Sequence, residues 1–152
     1  MKTGICTQDD IVNEVAGKLD KCNGFVIGTS VYYSSANGAL VAFLDKFFYS
    51  MHKDLRAKVG ASLAIARRGG ATSATDVLNK YFSISGMPIA GSQYWNIAYG
   101  TKPGSVLGDG EGMQTMRICA QNMVFLMKCI ADGVEKYGLP AEEKHIWTNF
   151  IR

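Results

Sequence analysis

Proline is scarce in this 152-residue chain, with three residues in all, and charge is sparse at 19%. The four cysteines, Cys6, Cys22, Cys119 and Cys129, lie far apart and form no C-x-x-C pair, which argues against a zinc site and for reduced thiols in a cytoplasmic protein. No apolar run reaches 18 residues, so no membrane-spanning helix is expected. Met1-Lys2-Thr3-Gly4 leads into no apolar segment, so no secretory signal is expected either. A net charge of +3, with no basic stripe, gives no reason to expect a nucleic-acid partner. The two histidines, His52 and His145, sit in separate polar segments, and no Ser/His/Asp or Cys/His constellation can be assembled around them. "GDGEG" at residues 108–112 is too short for a calcium loop.

What is present is a globular composition: 47% apolar, 11% aromatic and 17 glycines, the size of one domain spanning 1–152. Thr7 and Asp10 are spaced as a capping box before a short helix whose apolar face is Ile11, Val12, Val15, Ala16 and Leu19. Phe25 to Val31 is a continuous apolar run and predicts a buried strand. A helix is expected from Gly38 to Ser50, a second buried strand from Val59 to Ala66, and a helix capped by Thr72 or Ser73 that ends at Gly86-Met87-Pro88. Pro88 to Ser92 reads as a third strand. The last helix is expected from Met113 to Tyr137, burying Met116, Ala120, Met123, Val124, Met127 and Ile130, with Gly138 and Pro140 ending it. Cys22, Cys119 and Cys129 are expected to pack in helices.

Strands alternating with helices predict an α/β domain with a parallel sheet. Ligands of such sheets bind beyond the carboxyl ends of the strands. The segments there are unusual: "TSVYYSSANG", "RRGGAT" and "SQYWNIAYG". The first carries six hydroxyls, on Thr29, Ser30, Tyr32, Tyr33, Ser34 and Ser35, and the amide of Asn37. Three polar, glycine-bearing loops are expected to converge at one edge and hold a flat ligand with a polar rim. Gly69 and Gly70 suit a left-handed turn or a close backbone approach. Each loop also has an ordinary reading: Ser30 to Asn37 as a long turn, Arg67 and Arg68 as solvated charges, and Tyr94, Trp95 and Tyr99 as interface aromatics.

Val31-Tyr32-Tyr33, then Ser34-Ser35-Ala36-Asn37-Gly38, then Phe43-Leu44-Asp45-Lys46 resemble the P-x-Y…G-x-L-K-x-F-x-D-R pattern of the flavodoxin-like NADPH-dependent FMN reductases. Arg67-Arg68-Gly69-Gly70 resembles the glycine-rich loop after their fourth strand, and residues 86–117 resemble the iron–sulfur flavoprotein branch. Ser30 stands where the family usually has Pro, and Val41 where it usually has Lys. The resemblance covers Gly4 to Lys128. It implies a flavodoxin-like three-layer sandwich that binds FMN, with NAD(P)H as co-substrate and a quinone, flavin or other small molecule as electron acceptor. The implied cofactor contacts are Ser30, Val31, Tyr32, Tyr33, Ser34 and Ser35 at the ring edge, and Arg67, Arg68, Gly69 and Gly70 at its pyrimidine side. A homodimer or homotetramer is implied as well.

The family's first strand, Ser/Thr-rich phosphate loop, helix and second strand have no counterpart in the sequence, a difference of roughly 45–50 residues. The strands present therefore correspond to the third, fourth and fifth of the order 2-1-3-4-5. Only Cys6 could belong to an upstream cysteine cluster. Without a phosphate cradle, weak FMN binding is expected, and the alternative reading is a truncated cofactor-free remnant that serves as an oligomeric or binding module.

Overall fold

A computed structural model describes residues 5–8 and 10–148. Helix α1 spans Ile11–Lys18, and its cap is Asp10 rather than Thr7. Asp10 is extended (φ −145°) and its carboxylate accepts the Val12 N–H at 3.0 Å. The helix starts too late for a box built on Thr7. Strand β1 spans Gly24–Tyr32, and a two-residue strand β2, Ser35–Ala36, folds back on it. Helix α2 is Gly38–Ser50 and strand β3 is Val59–Ala66, both at the bounds the sequence predicts. Helix α3, Ala71–Ile84, is capped by Gly70 in a left-handed conformation, because the chain turns into the helix before Thr72 and Ser73 are reached. Strand β4 is Ile97–Tyr99, and helix α4 runs Gly110–Tyr137 behind the Asp109 cap. No described helix is long and apolar enough to cross a membrane.

The sheet order is β2-β1-β3-β4, parallel except for the short β2–β1 pair. The third strand differs from expectation. Pro88–Ala90 makes only a single bridge to β3, through Gly60 N–H to Pro88 O and Ala90 N–H to Gly60 O, both 2.8 Å. The chain then leaves the sheet and returns at Ile97 beside Ala64. One strand position is thus filled in two pieces, with Gly91–Asn96 looped out between them.

Side-chain alternation along the strands assigns the two faces. Phe25 and Ile27 of β1 join Leu44 and Phe47 of α2 and Leu78 and Phe82 of α3 in the main core. This core is ring-rich: Phe25 meets Phe82 edge-on at 5.5 Å, and Phe43 stacks on Phe47 at 5.5 Å. Gly60 is obligatory there, since a Cβ at that position would lie 2.6 Å from the Phe82 ring. On the opposite face α4 covers Val59, Ala61 and Ala90 with Cys119 and Met123. No described helix covers β1 on that side. Val26, Gly28 and Ser30 are consequently exposed, although the sequence predicts a buried strand.

The same asymmetry corrects the reading of α4. Its buried residues are Gly112, Thr115, Cys119 and Met123. Ala120 and Val124 are exposed, and Met116, Met127 and Ile130 are half-buried, because the stripe they form faces the uncovered side of β1. Cys119 packs as expected, whereas Cys129 is exposed and Cys22 is half-buried after a short 3₁₀ turn.

Candidate functional site

The loop after β1 is a tight hairpin. Tyr32 pairs with Ser35 and Val31 with Ala36, so Tyr33 and Ser34 are its two corner residues. Both have positive φ, 47° and 60°. Consecutive left-handed residues match the right-handed twist of the strands they join, but the positions favour Asn and Gly. For residues with a Cβ the left-handed region costs roughly 1–2 kcal/mol each. The turn therefore stores strain in two side-chain-bearing residues that face solvent: Tyr33 is fully exposed and Ser34 is exposed.

The hydroxyls of this stretch divide into two groups. Thr29 is buried, donates to the Ser30 carbonyl at 2.8 Å and accepts the Asn37 N–H at 2.9 Å. It ties the hairpin's return to its own strand. Asn37 then caps α2, accepting the N–H groups of Ala39 at 2.9 Å and Leu40 at 3.3 Å. Sequence reasoning grouped Thr29 and Asn37 with the polar rim. The signal for Asn37 was its place before Gly38 and the apolar spacing of α2. The hydroxyls of Ser30, Tyr32, Tyr33, Ser34 and Ser35 make no hydrogen bond among the described residues. They form the free rim.

The loop after β3 meets this hairpin directly. Ser30 pairs with Ile65, so Arg67–Gly70 follows β3 at the level where the hairpin follows β1. Gly70 has φ +87°, and a Cβ there would sit 2.6 Å from both Cα and Oγ of Ser34. Only a glycine admits that approach. Gly70 also offers no side chain to cap α3, so N–H groups of the helix's first turn remain free at the positive end of its dipole. Arg67, Arg68 and Gly69 are exposed, and neither guanidinium has an ion pair or hydrogen bond among the described residues. Ser30 to Ser35 and Arg67 to Gly70 are thereby gathered on one ledge at the carboxyl edge.

The third loop does not join them as expected. Tyr94 and Trp95 precede β4 and belong to the looped-out segment. Both border a cavity of about 180 Å³ with Ser62, Asn79 and Asn96, and Tyr94 also lines one of about 200 Å³ with Tyr99 and Asp109. What reaches the carboxyl edge is Tyr99, whose neighbour Gly100 donates to Ala66 O at 3.0 Å. Asp109, within the "GDGEG" segment, holds this end in place. Its carboxylate caps α4 through Gly112 N–H at 2.9 Å and accepts the Tyr99 N–H at 2.7 Å. Those N–H groups, Gly112 first, hold the Asp109 carboxyl below the usual carboxylate range.

The ledge can hold the edge of a flat, polar-rimmed group. It offers hydroxyls and a tyrosine on one side, and cations with free N–H groups on the other, suited to a rim that gains negative charge.

Residues 1–102 match the family described as NADPH-dependent FMN reductase. An iron–sulfur flavoprotein of Methanocaldococcus jannaschii is 26% identical over 135 residues, covering 84% of this chain and 70% of the relative. The solved structure of RosB with a bound intermediate superposes with a TM-score of 0.62 at 18% identity, over 96% of this chain and 67% of that one. A flavodoxin from the domain Archaea superposes with a TM-score of 0.50 at 14% identity, over 76% of this chain and 71% of that one. The fold is flavodoxin-like.

Proposed function

Because the chain belongs to the NADPH-dependent FMN reductase family, we propose that it is a flavin-dependent oxidoreductase whose cofactor is FMN, with the isoalloxazine edge on the Ser30–Ser35 and Arg67–Gly70 ledge. The observation that carries the reading is the strained Tyr33–Ser34 corner pressed against left-handed Gly70. Strain held in exposed residues, where a looser loop would suffice for folding, is characteristic of binding sites. The donor set fits the group: the free N–H groups at the start of α3 and the unpaired Arg67 and Arg68 suit the pyrimidine side of the ring, where negative charge accumulates on reduction.

Bound FMN would supply the redox chemistry, taking two electrons from a nicotinamide and passing them to a quinone, flavin or other small acceptor. The chain's own part is to orient the ring and to set its potential. Tyr33 would lie against the ring, Ser34 and Ser35 would hydrogen-bond its edge, and Arg67 and Arg68 would stabilise the reduced anion. No side chain is required as acid, base or nucleophile.

The test is a titration of FMN followed by flavin fluorescence, then anaerobic reduction by NADH and by NADPH. Arg68→Ala is expected to weaken FMN retention or lower its reduction potential. Unchanged affinity and potential in both Arg67→Ala and Arg68→Ala would remove the arginines from the site. The bare apolar side of β1 favours a second reading, a cofactor-free binding module. Protein that takes up no FMN and shows no flavin absorption would select that reading.

A further inference from the structure

The looped-out segment Gly91–Asn96 is tied to one neighbouring helix and not to the other. Towards α4 it is pinned: Ser92 Oγ donates to Thr115 O at 2.7 Å, Gln93 Nε2 to Gln114 Oε1 at 3.1 Å, and Gly91 O accepts from Asn122 Nδ2 at 3.0 Å. Towards α3 no hydrogen bond joins it among the described residues. The gap on that side is the cavity of about 180 Å³ between Ser62 of β3, Thr75, Asp76 and Asn79 of α3, and Asn96. At about 30 Å³ per water it has room for several waters, yet it is smaller than the roughly 300–1,000 Å³ of a drug-sized ligand site. It exists because one strand position is filled in two pieces, and it lies at the β4 edge of the sheet, with β3 between it and β1.

The chemistry of its wall is one-sided. Ser62 and Thr75 are buried, and each has spent its only O–H: Ser62 on Asn79 Oδ1 at 2.7 Å, Thr75 on Thr72 O at 2.8 Å. Their oxygens keep lone pairs and no proton. Asn96 is 9% exposed; its Nδ2 donates to Ala90 O at 3.3 Å, and its Oδ1 is enclosed without a donor. A buried acceptor left unpaired is costly, and the terminal amide torsion is broad enough to swing it onto an incoming donor. Side-chain donors remain only on Asn79, Tyr94 and Trp95, at the half-exposed and exposed rim. Asp76 is the one charged residue lining the cavity, and its carboxylate has no partner among the described residues. Lys80, one turn further along α3, forms no ion pair with it. Tyr94 and Trp95 meet edge-on at the same opening, their ring centroids 4.7 Å apart.

We propose that this cavity binds the ammonium group of a small primary alkylamine. An ammonium carries three donors and no acceptor, the complement of Ser62 Oγ, Thr75 Oγ and Asn96 Oδ1. A cation taken out of water needs an opposite charge, and Asp76 supplies one from the exposed side. The tyrosine–tryptophan pair offers π faces to the cation and apolar surface to a short alkyl chain. A neutral alcohol brings one donor and no charge, and leaves most of the acceptors unpaired. A divalent cation calls for several carboxylates, and this cavity has one. The site requires neither the ledge nor a flavin: Ser62 sits in the middle of β3, short of the carboxyl edge.

In a Trp147→Phe chain Trp95 is the single tryptophan and reports occupancy by its fluorescence; Trp147 is exposed, so the change leaves the fold intact. Titration with n-propylammonium chloride is expected to give a saturable change with a dissociation constant of about 1 mM or below, and to raise the melting temperature of the native chain. Neither n-propanol nor potassium chloride at equal concentration should do so. Asp76→Asn, at an exposed position, should weaken binding roughly threefold to fivefold, and Asp76→Lys should abolish it. Asn96→Ala should weaken it roughly tenfold or more, since a buried acceptor to a cation is lost; where that variant fails to fold, the Asp76→Lys titration decides. No saturation by n-propylammonium, an equal response to potassium or n-propanol, unchanged affinity in Asp76→Lys, or tighter binding of an alanine–lysine–alanine peptide, which would make the occupant a protein side chain, would each overturn the proposal.

Discussion

Gly70→Ala probes the junction on which the proposed site depends. Two penalties act together. The residue sits at φ +87°, where a Cβ costs roughly 1–2 kcal/mol. The new methyl would also lie 2.6 Å from Ser34 Cα, a backbone atom of another loop that cannot rotate away. Relieving such an overlap costs about 1–3 kcal/mol. The sum is about 2–5 kcal/mol, a large share of the stability of a small protein. With a urea slope of about 2 kcal/mol per molar, the midpoint should fall by roughly 1–2.5 M. Two other glycines separate the terms. Gly104 shares the left-handed conformation at φ +79° but has open space around it, so Gly104→Ala should show the backbone penalty alone. Gly69 has neither constraint, and Gly69→Ala should be silent. If the loops also grip a flavin, pushing them apart should weaken FMN binding about tenfold or more, or ~1.4 kcal/mol. Gly70→Ala no more destabilising than Gly104→Ala would show that the two loops do not touch as described, and the ledge would lose its basis.

Tyr33→Asn should stabilise the chain by about 1 kcal/mol in urea melts, because Asn tolerates the left-handed corner and the exposed ring gives up no packing; the same change should weaken FMN binding, and unaltered flavin affinity would detach Tyr33 from the site. Gly60→Ala should cost about 1–3 kcal/mol by driving a methyl into the buried Phe82 ring, and Phe82→Leu in the same chain should recover part of the loss; strict additivity of the two changes would contradict the contact. Tyr81 is half-buried and donates to Asp45 Oδ1 at 2.5 Å; burial first, then that carboxylate, pushes its hydroxyl from 10.0 up to about 12. The folded state therefore holds this proton longer than the unfolded one, so its stabilisation is complete below pH 10 and lost as pH rises towards about 12; alkaline melts of Tyr81→Phe should show a flatter decline, and identical slopes would remove Tyr81 as the cause.

How far the sequence specified this structure depended on whether local pattern and tertiary neighbours agreed. Helix α2 and strand β3 fall on their predicted bounds because Asn37-Gly38 begins one, Val59 to Ala66 is buried along most of its length, and nothing competes. Strand β4 was misplaced because both Pro88–Ala90 and Ile97–Tyr99 suit a strand, and only their contact with β3 reveals that they share one position. The hairpin corner was illegible for a different reason. Tyr33-Ser34 is a poor choice for two left-handed residues, so turn chemistry alone argues against the conformation that the β1–β2 pairing imposes. The convergence of "YYSS" and "RRGG" was legible, since strand order places the ends of adjacent parallel strands together. Their close contact at Gly70 was not.

The uncovered strand and the ledge lie on the same element, which raises the question of whether one depends on the other. β1 leaves Gly24 to Ser30 unpaired on its outer side, but at Val31 and Tyr32 the chain supplies its own edge partner in β2. The ledge is braced from within: Thr29 holds Asn37, Asn37 caps α2, and Ser34 abuts Gly70. None of these contacts uses a residue from beyond β1's free edge. The geometry of the ledge is therefore set by the chain itself, whatever comes to lie along Gly24 to Ser30. The exposed α4 side of β1, with Val26 and the Met116–Met127 stripe, lies towards the other end of the strand from Tyr33. Cover on that face and the geometry of the ledge are accordingly separable properties. Val124→Lys, a change on that exposed face, should still bring Ser34 to Gly70 and present the same rim to a ligand.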